Sequence, residues 1–274
     1  MNQNNLEYLQ KSLDYLGFGT KLNAALEGAI LKGEQFFSIG INQRYIPAEF
    51  RSQVEKKVDD MHFELKFNRS KNGEVYFLNA METSLLRYNA TEPIMKNFVL
   101  DQQNRMSALQ SYKLLCGLSF EKPTLILDTD DPESKQYKKI DLWYKLNFNA
   151  VDKLGEHPIK WFFPQHGYDL EQSFNKFPFL ELTDTDLRES AIKALRYGNL
   201  ISLPMEIDGK RQEVYISADP EQKTLNIYDQ QMQSIHPDLI VANKIHPVSE
   251  QTEHLMTVKK EDQKGLEENR SFKR

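Results

Sequence analysis

Apolar residues at the start of the chain recur with helical spacing. Leu6, Leu9, Leu13 and Leu16 line one helical face and lead into Gly17, a residue free to take the left-handed conformation that ends a helix. Leu22, Leu26 and Ile30 repeat every fourth position behind Thr20, a natural N-cap, and Gly33 closes this second helix. The period then falls to two. Phe37, Ile39 and Ile41 alternate with small or polar residues, the pattern of a strand covered on one side. Phe50, Val54 and Val58, preceded by Pro47, predict a short amphipathic helix between strands. Phe63, Leu65 and Phe67 alternate again, Asn72-Gly73 supplies a turn, and Val75, Phe77 and Asn79 form the return strand of a hairpin.

The same order recurs in the last third of the chain. Thr183 with Asp186 has the spacing of a capping box, with Asp in place of the usual Glu. Leu187, Ala191, Ala194 and Leu195 form the apolar face, Lys193 and Arg196 suit the helix C-terminus, and Gly198 ends it. A strand through Leu200, Ser202 and Pro204 turns at Asp208-Gly209. Val214 and Ile216 then run to a turn at Asp219-Pro220-Glu221, and Leu225 and Ile227 return. Laid over the first hairpin without a gap, Val75 coincides with Leu225 and Phe77 with Ile227. A middle copy starts at Ser107, with Leu109, Tyr112 and Leu115 on its helix and Gly117 after it. A strand near Leu125–Leu127 follows, then a charged excursion, an alternating strand at Leu142, Tyr144, Leu146 and Phe148, a turn at Gly155, and Ile159 to Phe163 returning. Between the middle and last copies, Asp169 caps a helix bearing Leu170, Phe174 and Phe177 that stops before Pro178.

These elements predict an α+β protein of three tandem helix-then-antiparallel-hairpin units, with helices packed on small antiparallel sheets. The expected divisions are N-terminal helices plus a first unit over 1–95, a second unit and bridging helix over 96–182, a third unit over 183–246, and a disordered tail over 247–274. In that tail Glu, Lys and Gln leave too few apolar residues to offset the entropy of ordering. The repeated order is read either as duplication or as a shared architecture without common descent.

Composition narrows the class. Among 274 residues, 16 Phe and 12 Tyr supply core-forming rings, and the single cysteine, Cys116, excludes an internal disulfide or a multi-cysteine metal site. A formal net charge of −5 gives no global attraction for a phosphate backbone, so nucleic acid would need a local patch. No apolar run approaches a membrane span and the N-terminus lacks a secretory h-region, so a cytoplasmic protein without membrane attachment is expected.

Candidate chemistry is sparse. Asp128, Asp130 and Asp131 follow an apolar strand, as the magnesium-holding carboxylates of phosphoryl-transfer enzymes do, and equally form a solvated turn with Pro132, Glu133 and Ser134. The six histidines, His62, His157, His166, His236, His246 and His254, include no pair at zinc-enzyme spacing, and Cys116 among leucines reads as a packed thiol. No phosphate loop, nucleophile elbow or dinucleotide fingerprint occurs, so no catalytic residue, metal site or cofactor is assigned. Trp143, Lys145, Lys160 and Trp161 lie on strands expected to pair. Rings interleaved with lysines there are read as sheet core, as a protein-partner surface, or as a platform stacking single-stranded bases.

Gly167-Tyr168-Asp169-Leu170, Tyr197-Gly198-Asn199, Ala218-Asp219-Pro220 and Asn226-Ile227-Tyr228-Asp229 carry a likeness. Over residues 100–235 the sequence resembles an uncharacterised domain of conjugative-transposon and other mobile-element proteins of gut bacteria. The resemblance implies context rather than chemistry: a non-catalytic binding or scaffold module of a conjugative-transfer system, with a protein partner. The alternatives are a single-stranded nucleic-acid-binding accessory module and a metal-dependent phosphoryl-transfer enzyme at Asp128, Asp130 and Asp131.

Overall fold

The leucine stripe of the N-terminal segment forms α1 (Gln3–Tyr15) in the computed structural model, which describes residues 2–71, 73–101, 105–128, 136–180, 184–236 and 240. Asn2 caps α1, and Leu6, Leu9 and Leu13 are buried. Asn5 clamps the helix to the sheet below: its amide donates to the Tyr76 carbonyl and accepts from the Tyr76 N–H. In α2 (Asn23–Lys32), Leu26 and Ile30 face the core and Gly33 is left-handed, as the spacing requires. The cap is Leu22 rather than Thr20, and no side chain bonds the free N–H groups there.

Four antiparallel strands follow in sequential order: β1 (Phe36–Tyr45), β2 (Asp59–Arg69), β3 (Tyr76–Leu86) and β4 (Ile94–Val99). The amphipathic helix expected from Phe50, Val54 and Val58 is not formed. Only a single 3-10 turn at Ala48–Phe50 interrupts the chain, and Val54 projects fully into solvent. Without a core to cover, its four-residue spacing had no consequence.

The first hairpin also departs from its simple alternation. A bulge opposite Lys66/Phe67 inserts one residue into β3, which reverses side-chain parity along that strand. Tyr76 therefore points inward with Leu78 behind it, Met81, Thr83 and Leu85 are inward beyond the bulge, and Phe77 is exposed. Phe77 consequently does not match Ile227, which is fully buried, so the gap-free overlay of the two hairpins is one residue out of phase. Asn72 of the predicted turn lies outside the described residues.

Helix α3 (Ala108–Leu115) starts in a complete capping box, with Ser107 and Gln110 bonded reciprocally. Its buried face is Ala108, Tyr112, Leu114 and Leu115, while Leu109 is exposed. A three-stranded meander follows, β5 (Phe120–Leu127), β6 (Tyr137–Leu146) and β7 (Ile159–Phe162), so Phe148 lies beyond the strand assigned to it. Asp169 caps α4 (Leu170–Asn175), whose end precedes Pro178. The next helix, α5 (Thr185–Arg196), is capped by Asp184, which accepts from the N–H groups of Asp186 and Leu187; Thr183 lies outside the described residues. Its buried stripe is Ala191, Ile192 and Leu195, and Leu187 faces solvent, so the stripe is rotated from the expected one. The third sheet, β8 (Ile201–Ile207), β9 (Lys210–Asp219), β10 (Thr224–Tyr228) and the short β11 (Ser234–Ile235), is again an antiparallel meander.

The architecture is α+β, with helices preceding three antiparallel sheets. Among the described residues, apolar side chains gather in two clusters. The first joins α1, α2, α3 and the first sheet to Phe120, Leu142, Tyr144 and Leu146 of the middle sheet. The second joins α4, α5 and the third sheet to Trp143. Because successive strand residues face opposite ways, β6 contributes one face to each cluster, and the middle sheet is a shared wall between them. The tail over 247–274 lies outside the described residues.

Candidate functional site

A cleft of about 170 Å³ lies between the ends of β1 and β10, walled on one side by α3, and gathers polar groups from several elements. Its apolar lining includes Tyr45, Ile46, Tyr112, Leu118 and Leu200; its polar lining includes Glu49, Arg51, Arg87 and Lys113. The elements that build it come from 45–51, 87, 109–118, 198–200 and 228–232, five separated stretches of sequence.

Asp59 lies behind the lining and braces two of its residues, Tyr112 and Arg87. It opens β2 at a position in phase with Met61, Phe63 and Leu65, so its carboxylate points inward and is completely buried. One oxygen accepts from the Tyr88 N–H at 2.9 Å; the other accepts from the Tyr112 hydroxyl at 2.8 Å and lies 3.0 Å from Arg87 Nε. The Arg87 N–H is poorly aligned with that oxygen, so this pair is held by charge more than by a hydrogen bond. Glu49, also buried, stands 3.8 Å from Arg87 Nη2. Tyr45 stacks on Tyr112 with ring centroids 4.1 Å apart. Burial pushes the Tyr45 hydroxyl up to about 12 and raises Tyr112 further, so both remain protonated phenols.

Lys113 occupies the facing wall. Its ammonium donates to the Tyr197 carbonyl at 2.5 Å and to Asn199 Oδ1 at 2.8 Å, tying α3 to the segment between α5 and β8. Burial, helped by the Arg51 guanidinium, lowers its pKa to about 8. The Cys116 thiol is pushed up to about 11 by burial, against the pull of Arg87, and is therefore neutral and unreactive near neutral pH. Gly198 closes the rim at φ +72°, packed so tightly that a Cβ there would fall 2.7 Å from the Ser119 carbonyl oxygen and 2.8 Å from Phe120 Cβ.

Set beside protein-family models, curated proteins and solved structures, the chain matches none of them.

The residues singled out from sequence lie elsewhere. Asp128 pairs with Lys138 at 2.9 Å, whereas Asp130 and Asp131 lie outside the described residues. Among the described residues no three His, Cys, Asp or Glu side chains are placed to hold a metal. Trp143 and Trp161 do not share a face: Tyr144 pairs with Trp161 and Trp143 with Phe162, so the two indoles stand on opposite sides of the middle sheet. Trp143 is buried edge-on against Tyr168, and Trp161 is half exposed. Lys145 is 2.7 Å from Asp219 and 3.2 Å from Glu221, and Lys160 pairs with Glu221. The four residues thus do not form one open platform of rings and free cations, because strand alternation separates the rings and the third sheet neutralises the lysines. His157 Nδ1 meets the Ala150 carbonyl and His166 Nδ1 accepts from the Phe163 N–H, each within its own turn.

Asp59 and Lys113 escaped the sequence reading, although both carried a signal. Asp59 continues the inward parity of Met61, Phe63 and Leu65, and Lys113 interrupts the run Tyr112, Leu114, Leu115 on a helix with one buried face.

Proposed function

We propose that this chain is a non-catalytic binding module that seats its partner at the cleft between β1, β10 and α3, and that it serves the transfer machinery of a mobile element. The observation that carries the binding reading is the state of the reactive-type groups around the cleft. Asp59 is engaged by Arg87, Tyr112 and the Tyr88 amide, and Cys116 is a neutral thiol, while the apolar and aromatic lining remains open. A general base or a nucleophile in such surroundings would have to break these contacts before acting. A recognition site needs only an apolar recess with a few fixed polar groups. The mobile-element setting rests on the resemblance over residues 100–235, and a protein partner is the occupant it favours.

The test is photo-crosslinking in cells carrying a conjugative element and this chain. Benzoylphenylalanine replaces Leu109, exposed on the cleft side of α3, or Leu154, exposed on the turn between β6 and β7. A discrete protein adduct from position 109 that is absent from position 154 is the expected result. Identical adduct patterns from both positions, or none from 109, would refute the assignment.

A further inference from the structure

The walls of the cleft carry a positive charge that they do not themselves neutralise. Three cations, Arg51, Arg87 and Lys113, line it. The two buried carboxylates beside them, Glu49 and Asp59, both face Arg87. Among the described residues neither Lys113 nor Arg51 makes an ion pair, although Arg51 is close enough to Lys113 to disfavour its charge. Lys113 bonds only two neutral oxygens, the Tyr197 carbonyl and Asn199 Oδ1, which leaves the third N–H of its ammonium uncommitted. Of these two neighbouring cations Lys113 is the buried one, and among the described residues its charge at the edge of an aromatic recess has no counterion.

We infer that the cleft binds an apolar group bearing a single carboxylate, its body lodged against Tyr45, Tyr112, Leu118 and Leu200 and its carboxylate between Lys113 Nζ and the Arg51 guanidinium. This rests on the cleft being the binding site, as proposed above, and names the chemistry of what enters it. A single negative charge suits the site because three cations against two carboxylates leave one positive charge, and Glu49 in the lining repels a dianion. The size is set by the recess: about 170 Å³ is close to the cavity of roughly 150 Å³ that takes up one benzene ring. One aromatic ring or branched aliphatic chain therefore fills it. Such a group reaches the cleft either as a free small acid or as the last residue of a polypeptide chain.

The site also has a built-in dependence on pH. With Lys113 lowered to about 8, the free protein loses the ammonium as pH rises through that value, and a bound carboxylate favours its retention. Affinity is therefore highest below pH 8 and falls above it. Among the other titratable groups lining the cleft, Cys116 at about 11, Tyr45 at about 12 and the raised Tyr112 and Tyr228 keep their protons over this range, and Arg87 remains cationic; Glu49 and Arg51 are the remaining charged groups of the lining.

The experiment is methyl chemical-shift titration of the full chain at pH 7 and pH 9, reading Leu109, Leu118 and Leu200. The probes are phenylacetate, phenylacetamide, inorganic phosphate, and a hexapeptide ending in Phe with a free or amidated carboxyl group. Phenylacetate or the free-acid peptide should shift the cleft methyls, with affinity at least tenfold above that of the matching amide and weaker at pH 9. Arg51→Gln, at an exposed position that leaves the fold intact, should reduce that affinity severalfold, and Lys113→Met should abolish the pH dependence. A tighter peptide identifies a chain terminus as the source, and phenylacetate alone identifies a free acid; either upholds the inference. Equal affinity for acid and amide overturns the carboxylate while leaving the cleft a binding site. Preference for phosphate, or no cleft response to any probe, overturns the inference outright.

Discussion

Gly198 and Gly28 show how far a single Cβ matters in different surroundings. Gly198 combines a left-handed φ with backbone and Phe120 atoms closer than any real side chain tolerates, so Gly198→Ala adds both conformational strain and a collision. A loss of roughly 2–4 kcal/mol in urea unfolding is expected, the size typical of strained and overpacked positions. Gly28 sits on the exposed side of α2, where an added methyl group would meet nothing within 4 Å and the backbone is ordinary helix. There Gly28→Ala should raise stability by about 0.5–1 kcal/mol, because alanine loses less chain entropy in a helix interior. Urea titration of the two variants side by side checks both signs. Equal effects would mean that Gly198 is not confined as described.

At the scale of elements, α3 is the helix whose ends and face matter most to the cleft. Its start is secured by the reciprocal Ser107–Gln110 bonds, its body carries Tyr112 and Lys113 into the lining, and Cys116 joins them from its C-cap. Ser107→Ala should cost about 1 kcal/mol of stability in chemical unfolding, since one bond of the box is lost. Ser107, Gly117 and the helix between them were legible from the sequence because capping chemistry is local. Strand parity was only partly legible. Alternation at Phe63, Leu65 and Phe67 fixed β2, but the extra residue opposite Lys66/Phe67 leaves no trace in composition, so Tyr76 replaced Val75 and Phe77 as the inward residue. The spacing of Phe50, Val54 and Val58 misled for another reason: periodicity signals a helix only where a core exists to cover it, and Val54 has none. The cleft itself was invisible, because residues such as Tyr45, Lys113 and Leu200 meet through tertiary packing and no short motif links them.

For the whole molecule, the decisive feature is the middle sheet with a core on each side. Tyr144 and Trp143, neighbours in β6, belong to different clusters; the ion pair of Lys145 with Asp219 binds the second and third sheets further, and that of Arg196 with Glu121 ties α5 to the middle sheet. The two cores should therefore lose structure together. In Trp161→Phe, Trp143 is the only tryptophan and reports on the second cluster, while far-ultraviolet circular dichroism reports on all elements. The two unfolding curves should superimpose, and a separation of their midpoints would show that the clusters unfold independently.

A common partition also constrains how the polypeptide matures during synthesis. Residues 1–100 supply two helices and four strands, yet the surface they leave open is closed by Phe120, Leu142, Tyr144 and Leu146. A ribosome that has released only those first strands holds a half-covered sheet with sticky inner rings, and relief arrives when β6 emerges. Any pause in translation before residue 146 prolongs the interval in which this nascent segment is a target for chaperones or for a neighbouring chain.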